Sequence, residues 1–215
     1  RLVEHAIRRG AEMGIAVGFP TEYYWKPSKT GRSGSIEELD ALMRDLKQRY
    51  KTAKQTMPEQ AAGERVRNFR EVPFGLTPEQ ARIEAYRCIW CKDPECIAGC
   101  PVGIDIPAFL HFIEQGDFAA AVAKIKETNI LPAICGRVCP QEDQCEKVCK
   151  IGNNEKGLPP VAIGRLERFV ADWERQQGQI KPPVCAPPTG KKVAVVGSGP
   201  AGLTCATELA RSGHA

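Results

Sequence analysis

Apolar residues recur at intervals of three and four along much of this chain, which is the period of an amphipathic helix. The first such stretch predicts a helix from about residue 36 to residue 54. Ser35 and Glu38 mark its start, because the two side chains can satisfy each other's free backbone donors. Its apolar positions are Leu39, Leu42, Met43, Leu46 and Tyr50.

The same period, together with helix-start residues, predicts four more helices before residue 180. One begins at Thr77, with Pro78 at its first position and a glutamine two residues later. Two more span residues 106–115 and 118–127, and a Gly-Asp pair separates them. The longest spans residues 161–177, with apolar positions at Ile163, Leu166, Phe169, Val170 and Trp173.

The pattern changes after residue 180. Residues 181–190 include four prolines, which neither a helix nor a central strand tolerates, so they predict a linker. The sequence KKVAVV at residues 191–196 predicts a short strand of the buried type, and GSGPAG then opens a helix that runs to about Arg211. The pattern therefore predicts a mainly α-helical chain that becomes α/β at residue 191.

The composition excludes some classes of protein but does not indicate a function. The chain has 215 residues, enough for one or two domains, and its net charge of +4 contains no long block of one sign that would indicate nucleic-acid binding. No apolar run approaches the roughly 18 residues of a membrane span. The first residues resemble a signal peptide only superficially, because Glu12 interrupts the apolar run, so we expect a cytoplasmic protein.

Eight of the ten cysteines form two bursts, and their density is typical of metal ligands. The first burst, C-x2-C-x4-C-x3-C-P, is close to the bacterial ferredoxin run, in which three thiolates hold one cluster and the cysteine before proline reaches another. By this rule, Cys100, which precedes Pro101, is predicted to bind a second cluster. The first burst is Cys88, Cys91, Cys96 and Cys100, and the second burst is Cys135, Cys139, Cys145 and Cys149.

Zinc sites and disulfides are the alternatives to an iron-sulfur site. Zinc also uses C-x2-C pairs, but a zinc protein usually distributes two pairs to each ion, whereas each burst here has graded gaps and a Cys-Pro. Disulfides do not suit a cytoplasmic protein. The spacing alone does not assign the second burst, although Cys145 and Cys149 are predicted to share one turn of a helix.

The residues between Cys88 and Trp173 resemble a known family. The segments CPVGIDIPAFL, TNILPAICGRVCPQEDQCEKVC and IGRLERFVAD are similar to the helical double-cluster domain of the NADPH-dependent glutamate synthase small subunit. The same domain occurs in the large subunit of NADH-dependent ferredoxin:NADP oxidoreductase and in dihydropyrimidine dehydrogenase. The similarity begins near Met57, so residues 1–55 resemble nothing that we can name.

The resemblance implies a ligand set. One [4Fe-4S] cluster would bind Cys88, Cys91, Cys96 and Cys149, and the other would bind Cys100, Cys139, Cys145 and Glu167. Cys135 would then be left out, although the residues alone favour a thiolate over an oxygen ligand. Glu167 and Cys135 therefore stand as alternatives, and we prefer Glu167.

The glycine-rich turn has the context of a dinucleotide fingerprint, since it lies between a predicted strand and a helix. Its glycines would let a pyrophosphate approach the helix amino terminus. In the resembling families this turn belongs to an FAD-binding domain, and NAD(P)H binds a later domain. The turn consists of Gly197, Ser198, Gly199, Pro200, Ala201 and Gly202.

The remaining candidate residues predict little chemistry. Cys185 and Cys205 are expected to be ordinary thiols, and the three histidines have no partnered spacing, with His111 expected on a helix surface. Arginines 137, 165 and 168 are expected to be ordinary surface charges; the alternative is that they lie near the clusters and raise the cluster potentials. No arrangement of serine, cysteine and histidine suggests hydrolysis.

The sequence thus predicts an α-helical, ferredoxin-like double-cluster domain followed by the first β-α unit of a Rossmann-type domain. The expected divisions are an extension with one amphipathic helix (1–55), the double [4Fe-4S] domain (56–180), the linker (181–190) and a truncated FAD-binding domain (191–215). We expect part of an NAD(P)H-dependent iron-sulfur flavoprotein that passes electrons between FAD and a redox partner subunit in a hetero-oligomer. That partner would be a glutamate synthase large subunit, a ferredoxin or flavin subunit, or another oxidoreductase subunit. The alternative is a metal-stapled adaptor domain.

Overall fold

The computed structural model describes residues 36–153, 157–178, 180 and 182–215, with side chains from residue 44 onward. The predicted cap at Ser35 lies outside these residues, as does most of the predicted amino-terminal extension. The described part is mainly helical. Its helices are α1 (Ile36–Lys51), α2 (Ala62–Arg65), α3 (Pro78–Tyr86), α4 (Glu95–Ala98), α5 (Ile106–Gln115), α6 (Phe118–Lys126), α7 (Pro132–Val138), α8 (Ile163–Gln177) and α9 (Pro200–Arg211), with a 3₁₀ turn at Gln141–Asp143.

The predicted helix starts are confirmed by their caps. Thr77 and Gln80 form a reciprocal capping box at α3, in which the Thr77 hydroxyl accepts from the Gln80 amide and the Gln80 side chain accepts from the Thr77 amide. Gly116 ends α5 in the left-handed conformation, and Asp117 caps α6 by accepting from the Ala120 amide. These three helix ends are therefore defined by local interactions.

The helices enclose one core that continues into the cysteine region. α5 packs against α3 and α6, α6 packs against α8, and α8 packs against α7. Cys88, Cys96, Cys100 and Cys149 contact the edge of this core. Its buried members include Leu76, Phe109, Leu110, Ile113, Val122, Ile125, Leu166 and Val170.

Several predicted helical segments have different bounds. The helix predicted at residues 161–177 begins at Ile163, and the helix predicted at residues 118–127 ends at Lys126. α1 ends at Lys51 rather than at residue 54, because the Thr52 carbonyl leaves the helix and accepts from the Arg87 side chain. Cys145 and Cys149 lie in consecutive turns rather than in a helix. The Gln144 backbone, at φ −119° and ψ −113°, departs from helical geometry just before them.

The predicted strand at residues 191–196 does not form in the described part of the chain. Val193 donates to the Ala215 carbonyl, and Ala215 donates to the Lys191 carbonyl. A strand needs a continuous neighbour, and Ala215 offers only this short pairing. The helical half of the predicted β-α unit is present as α9, but none of the residues described between 182 and 215 is buried. None of the described helices is long and apolar enough to cross a membrane.

Candidate metal centre

Four thiols drawn from both bursts line one cavity. Cys88 comes just after α3, Cys91 lies in the following loop, Cys96 lies on α4, and Cys149 comes from the second burst. The family resemblance implied the same four residues for one cluster. The apolar wall of the cavity consists of Ile89, Pro94, Ile106, Pro107, Leu110, Val148, Ile151, Val161 and Ile163.

Burial against the apolar wall favours the thiol form of Cys88, Cys91 and Cys96 in the absence of a cation. Burial raises the pKa of Cys88 to about 12, and the neighbouring Cys91 and Cys149 add to the rise. Burial also raises the pKa of Cys91 and of Cys96. Because a bound metal centre deprotonates coordinating thiols outright, the cavity suits a group whose positive charge offsets several thiolates.

A second group of candidate ligands lies beside the first. Burial raises the pKa of Cys139 to about 11, with Cys135, Glu167 and Cys100 adding to the rise. Burial likewise raises the pKa of Cys145 to about 12, and Cys100 and Glu167 again contribute. These interactions place Cys100, Cys139, Cys145 and Glu167 near one another, together with Cys135.

A glycine allows the two bursts to interleave. A Cβ atom on Gly99, next to Cys100, would lie 2.8 Å from Val148 Cγ2 and 3.1 Å from the Gln144 carbonyl oxygen. Val148 precedes Cys149, and Gln144 precedes Cys145. The absence of a side chain at residue 99 therefore brings the end of the first burst against the second.

A second close approach positions the ligands on α7 and α8. A Cβ atom on Gly136 would lie 2.5 Å from the Arg168 backbone nitrogen, so the two helices touch at this point. Cys135 directly precedes Gly136, Cys139 follows it by three residues at the end of α7, and Glu167 directly precedes Arg168. The contact therefore presents the Glu167 carboxylate to the cysteines of α7.

Glu167 is buried and has a specific partner. Only 6% of it is exposed, and its Oε1 accepts from Asn129 Nδ2 at 2.7 Å. Burial raises the pKa of Glu167 to about 7, while the Asn129 hydrogen bond partly opposes the rise. The Oδ1 atom of the same asparagine lies 3.7 Å from Cys135 Sγ. Asn129 thus contacts both candidates for the eighth ligand, a feature that sequence reasoning missed.

The C-x2-C loop has an unusual backbone. Trp90, between Cys88 and Cys91, has a φ of +53° and is 2% exposed. A large residue rarely adopts this conformation, which turns the loop back on itself. The Trp90 ring packs edge-on against His111, with ring centroids 4.9 Å apart. The prediction of a surface His111 is therefore wrong, because the residue is half-buried.

The arginines near the second group are largely paired. Arg137 bonds to Glu71 and Asp172, and Arg168 bonds to the same two carboxylates. Two of the three arginines weighed as possible influences on the cluster potentials therefore have their charge offset locally. Cys185 and Cys205 are exposed, as expected of ordinary thiols.

The residues fit an iron-sulfur cluster by their chemistry. Within the described part of the chain, no three or more His, Cys, Asp or Glu side chains gather closely enough to hold a single ion. The four thiols of the first group instead line one mostly apolar cavity, whose lining also includes Glu95 and Lys150, and an iron-sulfur cluster takes four cysteine ligands around its own body. The second group offers three thiols and a buried carboxylate.

The part of the chain that contains both groups of candidate ligands matches a known protein family. A family profile described as dihydropyrimidine dehydrogenase domain II, 4Fe-4S cluster, matches residues 65–179. The chain belongs to this family. The dihydropyrimidine dehydrogenase domain II match includes both cysteine bursts and Glu167, and it confirms the resemblance seen in the sequence.

Curated relatives agree with the domain II assignment. The chain is 39% identical over 154 residues to the putative oxidoreductase UacF of Escherichia coli (strain K12), covering 71% of this chain and 24% of that protein. It is 41% identical over 145 residues to the glutamate synthase [NADPH] small chain of the same organism, covering 67% and 30%. A PreT homolog of Salmonella typhi, named as a subunit of NAD-dependent dihydropyrimidine dehydrogenase, is 39% identical over 145 residues, covering 67% and 34%. The chain therefore spans about a quarter to a third of these relatives.

Proposed function

We propose that this domain II chain is the electron-transfer module of an NAD(P)H-dependent iron-sulfur flavoprotein. The observation that carries the proposal is the apolar cavity lined by four thiols from both bursts. Its relatives include proteins named as an oxidoreductase, a glutamate synthase small chain and a dihydropyrimidine dehydrogenase subunit. One shared electron-transfer module would explain why proteins with different names are similar to this chain.

Two sets of residues would hold two [4Fe-4S] clusters. The first set is Cys88, Cys91, Cys96 and Cys149, whose side chains share the cavity. The second set is Cys100, Cys139, Cys145 and Glu167, and it is supported by the contribution of Cys100 and Glu167 to the raised pKa of both Cys139 and Cys145. When bound, the clusters would supply one-electron transfer, for which a protein contributes spacing, burial and ligand identity.

The chain's own residues prepare both places for that chemistry. The apolar residues of the first cavity would limit the access of water to a bound cluster, and the absence of a Cβ on Gly99 keeps the two sets adjacent. Cys96 belongs to the first set and Cys145 to the second, and the two are close enough for Cys145 to contribute to the raised pKa of Cys96. Adjacent sites would shorten the path of an electron through the domain.

The glycine-rich turn would hold FAD at the carboxyl end of this chain. Gly197 has a φ of +110°, and a Cβ on Gly202 would collide with the Gly197 carbonyl oxygen. α9 follows with Gly199 as its N-cap and no side chain bonded to its first amides, which leaves them for a phosphate group. The resemblance supports FAD over NAD(P)H at Gly197, Ser198, Gly199, Pro200, Ala201 and Gly202, with NAD(P)H binding further along the full protein.

The proposal also includes a redox partner. A relative named as a small chain of glutamate synthase implies a large subunit, and we infer a comparable hetero-oligomer in which the clusters connect the flavin to the partner. The partner would be a glutamate synthase large subunit or another oxidoreductase subunit. The final substrate would be reduced there.

A comparison of flavin and cluster reduction tests this function in the full-length protein loaded with FAD. We expect NADH or NADPH to bleach the flavin and then to produce the EPR signal of reduced clusters. In Cys100→Ala, flavin bleaching should persist while transfer through the second cluster is lost, and Cys185→Ala, which removes an exposed thiol, should behave as wild type. A flavin that is bleached without any electron reaching clusters that dithionite can reduce would contradict the proposal.

A further inference from the structure

One buried arginine connects the amino-terminal helix to the first cluster site. Arg49 lies on α1, outside the range 65–179 that the family profile matches, and is 4% exposed. Its Nη1 atom donates to the carbonyl oxygens of Tyr86 at 2.8 Å and Cys88 at 3.0 Å. The guanidinium therefore holds the backbone where the chain leaves α3 and enters the first burst.

The same guanidinium is anchored to the helix that forms another wall of the cavity. Arg49 makes a two-pronged contact with Glu114, with Nη1 3.0 Å from Oε2 and Nη2 2.8 Å from Oε1. Glu114 lies near the end of α5, and the beginning of α5 lines the cavity with Ile106, Pro107 and Leu110. Arg49 thereby fixes the Cys88 loop relative to α5.

The arginine is itself held in one orientation. Its Nε donates to Asp45 at 2.6 Å, and its guanidinium carbon lies 4.3 Å from the centre of the Tyr86 ring. The Tyr86 hydroxyl donates to the same aspartate at 2.8 Å. Asp45 and Glu114 offset its charge, so its main contribution is directional hydrogen bonding.

The chain after α1 is also attached to the cluster domain. The Gln55 amide donates to Glu84 Oε2 at 2.6 Å, the Thr52 carbonyl accepts from Arg87 at 3.2 Å, and Lys54 pairs with Glu146 at 3.5 Å. These contacts show that residues 45–55 pack on the domain rather than extend from it. Packing therefore continues across the division expected at residue 55.

We propose that Arg49 is a positioning residue for the first cluster and that α1 is part of that site. By fixing the Cys88 carbonyl against Glu114, Arg49 keeps the Cys88 thiol directed toward the cavity and limits the opening of the loop. A lysine would keep the charge but could not bridge two carbonyls and a carboxylate, because it lacks the planar fork of donors. This inference rests on the proposed first cluster.

Selective loss of one cluster tests the role of Arg49. In the full-length holoprotein we expect Arg49→Ala and Arg49→Lys to release first-cluster iron to a chelator between about 10-fold and 100-fold faster than wild type, as for other residues that orient metal ligands. The EPR signal of the reduced first cluster should shift or disappear while that of the second cluster stays unchanged. Arg44→Ala is the matched control, because it removes an exposed arginine from the same helix.

The outcomes separate this inference from the proposed function. If Arg49→Ala and Arg49→Lys release iron at the rate of Arg44→Ala, or if both clusters are lost in parallel, Arg49 is not a positioning residue for the first cluster. Restoration of wild-type behaviour by lysine would show that charge suffices and would also overturn the inference. A wild-type protein that holds no iron-sulfur cluster would instead refute the proposed function itself.

Discussion

Asn129 contacts the two side chains that compete for the eighth ligand position. Its Nδ2 donates to Glu167 Oε1, while its Oδ1 lies within hydrogen-bond reach of the Cys135 thiol. The Asn129 contact uses only one of the two Glu167 oxygens. The other Glu167 oxygen is therefore left for the ligand role that the family resemblance implies, and we keep Glu167 as the preferred eighth ligand.

This preference gives the first prediction. We expect Glu167→Ala to alter or remove the EPR signal of the second reduced cluster, because the substitution deletes a ligand, and Cys135→Ala to leave both signals in place. The measurement is EPR of the dithionite-reduced protein, with iron content determined on the same samples. Retention of both signals in Glu167→Ala, together with loss of one in Cys135→Ala, would reverse the assignment.

The residues of the site differ in how far the sequence alone predicts them. Cysteine spacing identified the two bursts, since dense thiols in graded gaps are typical of iron-sulfur ligands, and the family resemblance supplied Glu167. Asn129 and Arg49 carry no such signal, because a single asparagine or arginine in a helical sequence is usually a surface residue. Their roles depend on partners 37 to 65 residues away in the chain, which no local pattern contains.

The contact between α7 and α8 sets the geometry of the second group. In Gly136→Ala, the new methyl group would meet the Arg168 backbone, which cannot move without shifting Glu167. We expect a loss of about 1–3 kcal/mol in the free energy of unfolding and weaker binding of the second cluster. Urea unfolding and cluster EPR would measure the two effects. Gly63→Ala is the control, because no atom lies near its Cβ position; equal behaviour of the two variants would show that the close approach is unimportant.

A buried ion pair ties α3 to the chain before α8. Arg87 Nη1 lies 2.6 Å from Glu84 Oε1, and the two residues are 2% and 0% exposed. Arg87 also donates to the carbonyls of Pro159 and Pro160, and Glu84 accepts from the Ala162 amide. The pair therefore connects the end of α3 to residues 159–162, which lead into α8.

Removing one partner of this pair should be costly. We expect Arg87→Met to lower the free energy of unfolding by about 3–5 kcal/mol, because Glu84 would remain buried without its counter-charge. Chemical denaturation of the holoprotein would measure this loss. Arg82→Met, on the exposed face of the same helix, should change the free energy by much less; a similar loss in both variants would contradict the role given to the pair.

Elements were predictable where the signal was local. The caps at Thr77 and Asp117 and the glycine stop at Gly116 predicted helix ends well, since they act within one turn. The prediction of a strand at residues 191–196 was wrong because a strand needs a neighbouring strand to pair with, and an apolar run alone does not supply one. The prediction of a helical turn from Cys145 to Cys149 was wrong because a spacing of four residues is compatible with both a helix and an irregular turn.

The two ligand groups link distant parts of the whole domain. The first group joins α4 to the end of the second burst, and the second group joins the end of the first burst to α7 and α8. Removal of the clusters should therefore unfold the domain, since binding energy is also folding energy when the ligands come from distant segments. Circular dichroism during chelation should show helix loss in step with cluster loss. Full retention of helix in the iron-free protein would contradict this linkage.

The central claim is that the two cysteine bursts hold two [4Fe-4S] clusters, and metal analysis combined with EPR of the dithionite-reduced protein tests it most directly. We predict about eight iron atoms and about eight sulfide ions per chain, with signals from two reduced clusters. Stoichiometric zinc with no paramagnetic signal would contradict the claim and would favour a metal-stapled adaptor domain.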